Sequence, residues 1–190
     1  MKKENTGMKW ETISSEYIFR DTWLYARKDR CIRPDGKIVD PYYVMEYPDW
    51  VTGLALTKDE KVILVRQYRH ALGEVCLELP GGCVDKTDKN FEEAIRREFL
   101  EETGYSFETA EYLGRSSANP STNSNTLHMF LLLGGEKVQS QQLDANEEID
   151  ILIVSFEEFK QMLSENKFIQ SMHVTNIFYA LARLKKLQLS

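Results

Sequence analysis

The stretch FEEAIRREFLEETGY, residues 91–105, carries the strongest structural signal in this sequence. Its apolar residues recur at helical spacing, with Asn90 placed as an N-cap and Gly104 as a left-handed C-cap. At about 100° per residue, Glu98 and Glu102 fall in the same sector as the apolar side chains. Burial of an unpaired carboxylate is costly, so the pattern predicts a positive partner opposite these two glutamates.

The basic residues of the same helix do not supply that partner on a helical projection. Arg96 and Arg97 point away from Glu98 and Glu102, and they find acidic i,i+4 partners elsewhere, Glu101 among them. Carboxylates at i, i+3 and i+4 form an oxygen-rich cluster, and hard oxygen ligands select Mg²⁺ or Mn²⁺ over zinc. The competing interpretation is a solvated acidic face, which is the usual character of a charged run.

The composition of the chain excludes several classes of protein. Its 190 residues are 42% hydrophobic and 28% charged, which is typical of a soluble globular protein. The net charge of -6 has the wrong sign for capture of nucleic acid or of an anionic membrane. No run approaches the roughly 20 apolar residues of a membrane span, and the start MKKENTGMKW lacks the apolar core of a secretory signal. Three cysteines without a CxxC pair suit a reducing compartment, so we expect a cytoplasmic protein.

Strand-like patterns fill the first quarter of the chain. Residues 16–47 contain three such segments, and Arg33-Pro34-Asp35-Gly36 forms a turn between the last two. We therefore predict a small antiparallel β unit over residues 1–48 and a second domain over residues 49–190.

The second domain mixes strands and helices. Strands are predicted over residues 51–57, 62–70, 76–79, 110–115, 127–133 and 149–154. The central helix begins at Asn90, with Glu93 completing a capping box. A second capping box, Ser155 with Glu158, opens a helix that runs to about residue 165, and a third helix is predicted over residues 175–187.

The segment from Gly82 to Tyr105 resembles the Nudix box. That pattern is Gly, five residues, Glu, seven residues, then Arg-Glu-apolar-x-Glu-Glu-x-Gly-apolar, and its second half is complete from Arg97 onward. In the first half, Lys89 stands where the spacing puts the Glu. One extra loop residue restores the pattern, with Gly82 as the initial Gly and Asp88 in place of the Glu.

The resemblance extends to the Nudix subgroup that hydrolyses ADP-ribose and other nucleoside diphosphate sugars. Residues 65–69 and 77–82 are similar to the region that precedes the box in that subgroup, and Pro120, 16 residues beyond Gly104, is similar to its proline marker. The resemblance implies a Nudix-type α/β/α sandwich with a mixed sheet, preceded by the small antiparallel β unit. It also implies a homodimer, because this leading unit commonly crosses to the other subunit.

The implied reaction is metal-dependent hydrolysis of the pyrophosphate of ADP-ribose or a related sugar nucleotide to a nucleoside monophosphate and a sugar phosphate. The implied metal ligands for Mg²⁺ or Mn²⁺ are Glu98, Glu101, Glu102 and the carbonyl of Gly81. Three alternatives remain open: a preference for GDP-mannose or another sugar nucleotide, a catalytically silent nucleotide-binding sensor, and cleansing of nucleoside triphosphates.

The resemblance implies that the general base is a glutamate on the loop before the last strand, which corresponds here to residues 144–149. Glu147 is the best carboxylate there, with Glu148 and Asp144 behind it. The implied catalytic residues are therefore Glu101, Glu102 and Glu147. A solvated loop is the competing interpretation of the same stretch.

The substrate-binding residues implied by the resemblance are Arg69, Arg66, Trp23 and Pro120. Guanidinium geometry allows Arg69 a bidentate contact to phosphate or ribose, and Arg66 is a weaker candidate. The alternative for both is a surface ion pair. Trp23 lies near the position of a base-stacking aromatic, with the other two tryptophans as weaker candidates and core packing as the default.

Overall fold

The computed structural model describes residues 7–22 and 24–187. The chain divides into two compact units, which we call unit 1 (up to Tyr47, with Asn119–Asn125) and unit 2 (Pro48–Ala118 and the residues from Thr126 on). Residues 119–125, placed by the sequence in the second domain, thus belong with unit 1. The reason is backbone pairing, because the N–H of Met45 donates to the carbonyl of Thr122 at 2.7 Å.

Unit 1 contains an antiparallel sheet in the order β1-β2-β3, as the sequence predicts. Its strands are β1 (Glu11–Arg20), β2 (Tyr25–Ile32) and β3 (Ile38–Glu46). The predicted turn closes β2 onto β3: Gly36 adopts φ 81°, and its N–H donates to the carbonyl of Arg33 at 2.9 Å. The first strand begins earlier than residue 16, because its pairing with β2 continues back to Glu11.

Unit 2 is built on an eight-stranded sheet. The strands are β4 (Trp50–Thr57), β5 (Val62–Arg69), β6 (Glu74–Glu78), β7 (Gly81–Cys83), β8 (Tyr105–Ser106), β9 (Thr109–Ser116), β10 (Leu127–Lys137) and β11 (Ile149–Val154). The central order is β11-β5-β4-β10, with β6 beside β5, β7 beside β4, and both β8 and β9 beside β10. Strands β4 and β10 run parallel, whereas β5 is antiparallel to β4 and β11, so the sheet is mixed as predicted.

Helices cover both faces of this sheet. They are α1 (Phe91–Thr103), α2 (Phe156–Ser164) and α3 (Ser171–Arg183). Side chains of a strand alternate between faces, so Ala55 packs with α1 while Leu54 packs with α2 and α3. The α/β/α sandwich is therefore confirmed. None of the three helices in residues 7–22 and 24–187 combines the length and apolar character needed to cross a bilayer.

The helix starts follow side-chain caps. The Asn90 side chain accepts the N–H of Glu93 at 2.8 Å, but the Glu93 carboxylate accepts the N–H of Lys89, so the predicted capping box of α1 is only half formed. Ser155 and Glu158 complete the capping box of α2. Each cap satisfies N–H groups that the first turn of a helix leaves unpaired.

The third helix starts and ends earlier than the predicted range of 175–187. It begins at Ser171, because the Gln170 side chain accepts the N–H of Met172 at 2.6 Å and acts as N-cap. It ends at Arg183, and Lys185 then adopts a left-handed φ of 56°. Apolar periodicity alone did not indicate the amide cap.

Candidate active site

Glu98 and Glu102 lie on the buried side of α1, as the sequence predicts. Glu102 is 5% exposed, and its Oε2 accepts the N–H of Gly81 at 2.9 Å. The Glu98 carboxylate lies against Gly82, where an added Cβ would come within 2.6 Å of Oε2. Glycine at position 82 therefore allows strand β7 to approach the helix closely enough to place both carboxylates beside its backbone.

Burial controls the electrostatics of these two carboxylates. It disfavours their charged forms and raises the pKa of Glu98 to about 7 and that of Glu102 to about 8. The Gly81 N–H and the charge of Arg69 oppose the shift at Glu102 only in part. A buried and a half-buried carboxylate whose charges nearby cations do not fully compensate are a suitable environment for a hard divalent cation.

The donor set for such a cation is not complete from side chains alone. Within residues 7–22 and 24–187, no three His, Cys, Asp or Glu side chains are gathered closely enough to hold a metal ion. Arg97 binds both Glu98 and Glu101 at 3.0 Å, but the Glu101 side chain is 42% exposed and that of Glu98 only 12%. Glu98 and Glu102 therefore fit a metal ligand set better than Glu101, and backbone oxygen such as that of Gly81 is needed beside them.

Arg97 organises the loop that precedes α1. Its Nε and Nη2 donate to the two carboxylate oxygens of Asp88 at 3.0 and 2.9 Å, and Nη2 also donates to the carbonyl of Cys83. Its Nη1 donates to Glu98 and Glu101, both at 3.0 Å. Asp88, which the resemblance puts in place of the box glutamate, is thus held by the arginine of the box.

The bond to Glu98 corrects the sequence analysis, which left that glutamate without a basic partner. A helical projection treats each side chain as a fixed direction. The guanidinium of Arg97 is anchored on Asp88 and reaches back along the helix to its neighbour. Glu102 instead accepts a hydrogen bond from the backbone N–H of Gly81.

Removal of the Arg97 guanidinium, which binds Asp88, should destabilise the fold. Arg97→Met leaves Asp88, whose side chain is 3% exposed, as a buried charge, so we expect the free energy of unfolding to fall by about 3 kcal/mol. Arg66→Met is the matched control, because its ion pair with Asp150 is exposed and should contribute less than about 1 kcal/mol. Urea denaturation measures both changes, and equal losses would contradict the scaffold role of Arg97.

Arg69 is paired within its own sheet. Its Nε and Nη2 donate to Glu78, at 2.9 and 2.5 Å, and the Glu78 side chain is 3% exposed. His173 of α3 lies beside this pair, 3.9 Å from Glu78, and its Nδ1 accepts the N–H of Leu79 at 3.3 Å. Burial lowers the pKa of His173 to about 4, so the ring is neutral at pH 7.

The sequence analysis missed Glu78 and His173. Glu78 lies two residues after the buried Cys76 on the same face of β6, so its inward direction was a signal that could have been noticed. His173 carried no such signal, because its partner Leu79 lies 94 residues away in the chain. In this structure the bidentate partner of Arg69 is the carboxylate of Glu78. A contact between Arg69 and the substrate stays a prediction.

Glu147 lies in the exposed loop between β10 and β11. Its backbone N–H donates to the carbonyl of Asp144 at 2.9 Å, and its Oε2 accepts the N–H of Asp144 at 3.1 Å. The charge of Glu147 contributes to the raised pKa of both Glu98 and Glu102. The fold thus brings this distant residue within electrostatic range of the two carboxylates of α1.

The structure describes two of the three remaining predicted substrate residues. Arg66 of β5 donates to Asp150 of β11 at 3.1 Å, and both side chains are exposed. Pro120 belongs to unit 1. Trp23 lies outside the described residues. Their roles in substrate binding stay predictions.

Two family models match the chain along nearly its whole length. The model of the NUDIX domain matches residues 47–172. The model of the nucleoside diphosphate sugar hydrolase N-terminal domain matches residues 10–45. Together they cover the box, the sheet of unit 2 and the antiparallel sheet of unit 1.

Individual relatives and a solved structure agree with these matches. The chain is 28% identical to the methanol dehydrogenase activator of Bacillus methanolicus over 170 residues, which is 89% of this chain and 91% of that protein. It is also 28% identical to the ADP-ribose pyrophosphatase of Bacillus subtilis (strain 168) over 169 residues, 89% of this chain and 80% of that protein. The crystal structure of an ADP compounds hydrolase shares the fold, with a TM-score of 0.80, 19% identity, and coverage of 94% of this chain and 97% of that one.

Proposed function

This chain belongs to the Nudix family as a pyrophosphatase, and from that premise we propose that it hydrolyses ADP-ribose or a related nucleoside diphosphate sugar with Mg²⁺ or Mn²⁺. The products are a nucleoside monophosphate and a sugar phosphate. The observation that carries this proposal is the buried Glu102 and the half-buried Glu98 beside the backbone of β7, in a chain that also matches the N-terminal domain of nucleoside diphosphate sugar hydrolases.

Each residue of the site has a role in the proposed reaction. Glu98 and Glu102 would hold the cation together with the carbonyl of Gly81. When bound, the cation supplies charge neutralisation for the phosphoryl oxygens and acidifies the attacking water. Glu147 accepts the proton of that water as general base. Arg69 orients the phosphate or ribose through its guanidinium edge.

The substrate class is tested by release of monophosphate from ADP-ribose, GDP-mannose, UDP-glucose and deoxynucleoside triphosphates, each with Mg²⁺ or Mn²⁺. We expect a nucleoside diphosphate sugar to be the best substrate. A preference for the triphosphates would overturn the substrate class. Inactivity toward every compound would favour the catalytically silent sensor instead.

We also propose that unit 1 forms a homodimer with a second copy of the chain. Strand β1 is exposed along its whole length, and Ile13, Tyr17, Ile18 and Phe19 are each about half exposed on it. Contiguous exposed apolar side chains on a strand are typical of an interface.

Light scattering at micromolar concentration should therefore give twice the mass of the 22.1 kDa chain. Ile13→Glu combined with Phe19→Glu places charge on this surface and should shift the mass toward one chain. Glu16→Lys exchanges one charge for another on the same strand and serves as the control. A wild-type mass of one chain would contradict the dimer.

We also propose that the protein is cytoplasmic. Its partner is a small molecule, and it binds neither nucleic acid nor a membrane. Cys31, Cys76 and Cys83 are all free thiols, which suits a reducing compartment. The net charge of -6 disfavours nucleic acid held by a basic face, whereas a small diphosphate bridged through a cation is compatible with it.

A further inference from the structure

The side chain of Gln141, which is not among the predicted site residues, links helix α1 to strand β11. The Nε2 group of Gln141 donates to the carbonyl of Glu102 at 2.7 Å and to the carbonyl of Ile149 at 3.0 Å. Glu102 lies in the last turn of α1, and Ile149 is the first residue of β11. Both hydrogens of one amide are thus used, one on each element.

The bond to Glu102 belongs to the C-terminal cap of α1. The last carbonyls of a helix have no partner within the helix, and α1 has no basic residue in its last turn. Here the carbonyl of Glu101 accepts the backbone N–H of Gln142 at 2.8 Å, and the carbonyl of Glu102 accepts the Gln141 side chain. Residues 141 and 142 therefore dock directly onto the end of the helix that carries the carboxylates.

The bond to Ile149 closes the loop that carries Glu147. Residues 142–148, which we call the base loop, leave the helix end at Gln142 and return at Ile149. The two hydrogen bonds of Glu147 go to Asp144 within the same loop, so they shape the loop without tying it to α1. Gln141 directly precedes the base loop, and its amide binds Ile149, which directly follows the loop. The same amide binds the backbone carbonyl of Glu102, so both ends of the loop are held at the end of α1.

We propose that Gln141 is a positioning residue that holds the base loop, and with it Glu147, at a fixed distance from Glu102. This inference rests on the proposed function, because it acts through Glu147 as general base. Misplacement of a catalytic group by about 1 Å can cost roughly 10²-fold in rate.

Gln141→Met keeps the length of the side chain and removes both hydrogen bonds. We expect kcat to fall by about 10- to 100-fold, with KM changed by less than about threefold because the substrate contacts remain. Gln142→Met is the matched control, because Gln142 donates through its backbone N–H and keeps that bond. If Gln141→Met fails to fold, Gln141→Asn keeps the amide on a chain too short to bridge both carbonyls and should change kcat in the same direction.

The decisive experiment is a double-mutant cycle with Glu147→Gln, read as kcat and KM of monophosphate release. If Gln141 acts through Glu147, Gln141→Met should cost less than about threefold in the Glu147→Gln background. Full multiplication of the two losses would overturn the positioning role, as would wild-type kcat in Gln141→Met. Wild-type kcat in Glu147→Gln alone would instead show that the proposed base is wrong, so the two failures are distinguishable.

Discussion

Glu102→Gln should lower kcat by about 10³-fold while the protein remains folded. Glutamine has the shape of glutamate and keeps an oxygen for the N–H of Gly81, which now lies 2.9 Å from Oε2. It lacks the charge needed to hold a divalent cation beside the pyrophosphate. A cation supplies several kcal/mol of stabilisation to the transition state, and each 1.36 kcal/mol is worth about tenfold in rate.

The measurement is kcat for monophosphate release at saturating Mg²⁺, with circular dichroism to confirm folding. Glu92→Gln is the control, because Glu92 lies on the exposed side of the same helix in an ion pair with Arg96. We expect it to change kcat by less than about twofold, since an exposed pair contributes little. A Glu102→Gln enzyme with more than a tenth of wild-type kcat would contradict the assignment.

The same variant separates metal binding from catalysis. A ligand that binds only the folded state raises the melting temperature, by an amount that grows with the logarithm of the ligand concentration divided by its Kd. Addition of Mg²⁺ should therefore raise the Tm of the metal-stripped wild type and leave that of Glu102→Gln nearly unchanged. Equal shifts in both proteins would place the cation somewhere else.

Glu147→Gln should lower kcat by roughly 10²- to 10⁴-fold, which is the range expected for loss of a general base. The base loop is exposed, so the substitution should leave the fold intact. Because Glu147 accepts a proton in our proposal and does not hold the cation, the Mg²⁺-dependent rise in Tm should persist. A large loss in kcat with retained metal binding distinguishes Glu147→Gln from Glu102→Gln.

The neighbouring carboxylates supply the controls for this prediction. Glu148→Gln and Asp144→Asn remove one charge each from the same loop and should change kcat by only a few fold. Turnover near that of the wild type in Glu147→Gln, together with a large loss in Glu148→Gln, would move the base to Glu148.

The sequence predicted best those features that depend on neighbours in the chain. Helix α1, its N-cap Asn90 and its left-handed Gly104 are local patterns, and the structure confirms them. The inward position of Glu102 followed from helical periodicity, because each residue advances by a constant angle.

Features that depend on distant contacts were out of reach. The pairing of residues 119–125 with Met45 requires the folded position of β3. The inward direction of Glu78 could be inferred from β6, but its pairing with Arg69 depends on how β5 and β6 pair. Gln141 lies in a polar stretch without periodicity, and only its contact with the end of α1 reveals a role. The bond from Arg97 to Glu98 depends on where Asp88 anchors the guanidinium.

The most direct test is release of AMP from ADP-ribose by metal-stripped protein before and after addition of Mg²⁺, with wild type and Glu102→Gln assayed side by side. We predict that the wild type is inactive without the cation and releases AMP and ribose phosphate once Mg²⁺ is added. Glu102→Gln should remain about 10³-fold slower under the same conditions. Equal rates with and without Mg²⁺, or equal rates in the two proteins, would contradict a metal-dependent pyrophosphatase built on the inward-facing carboxylates of α1.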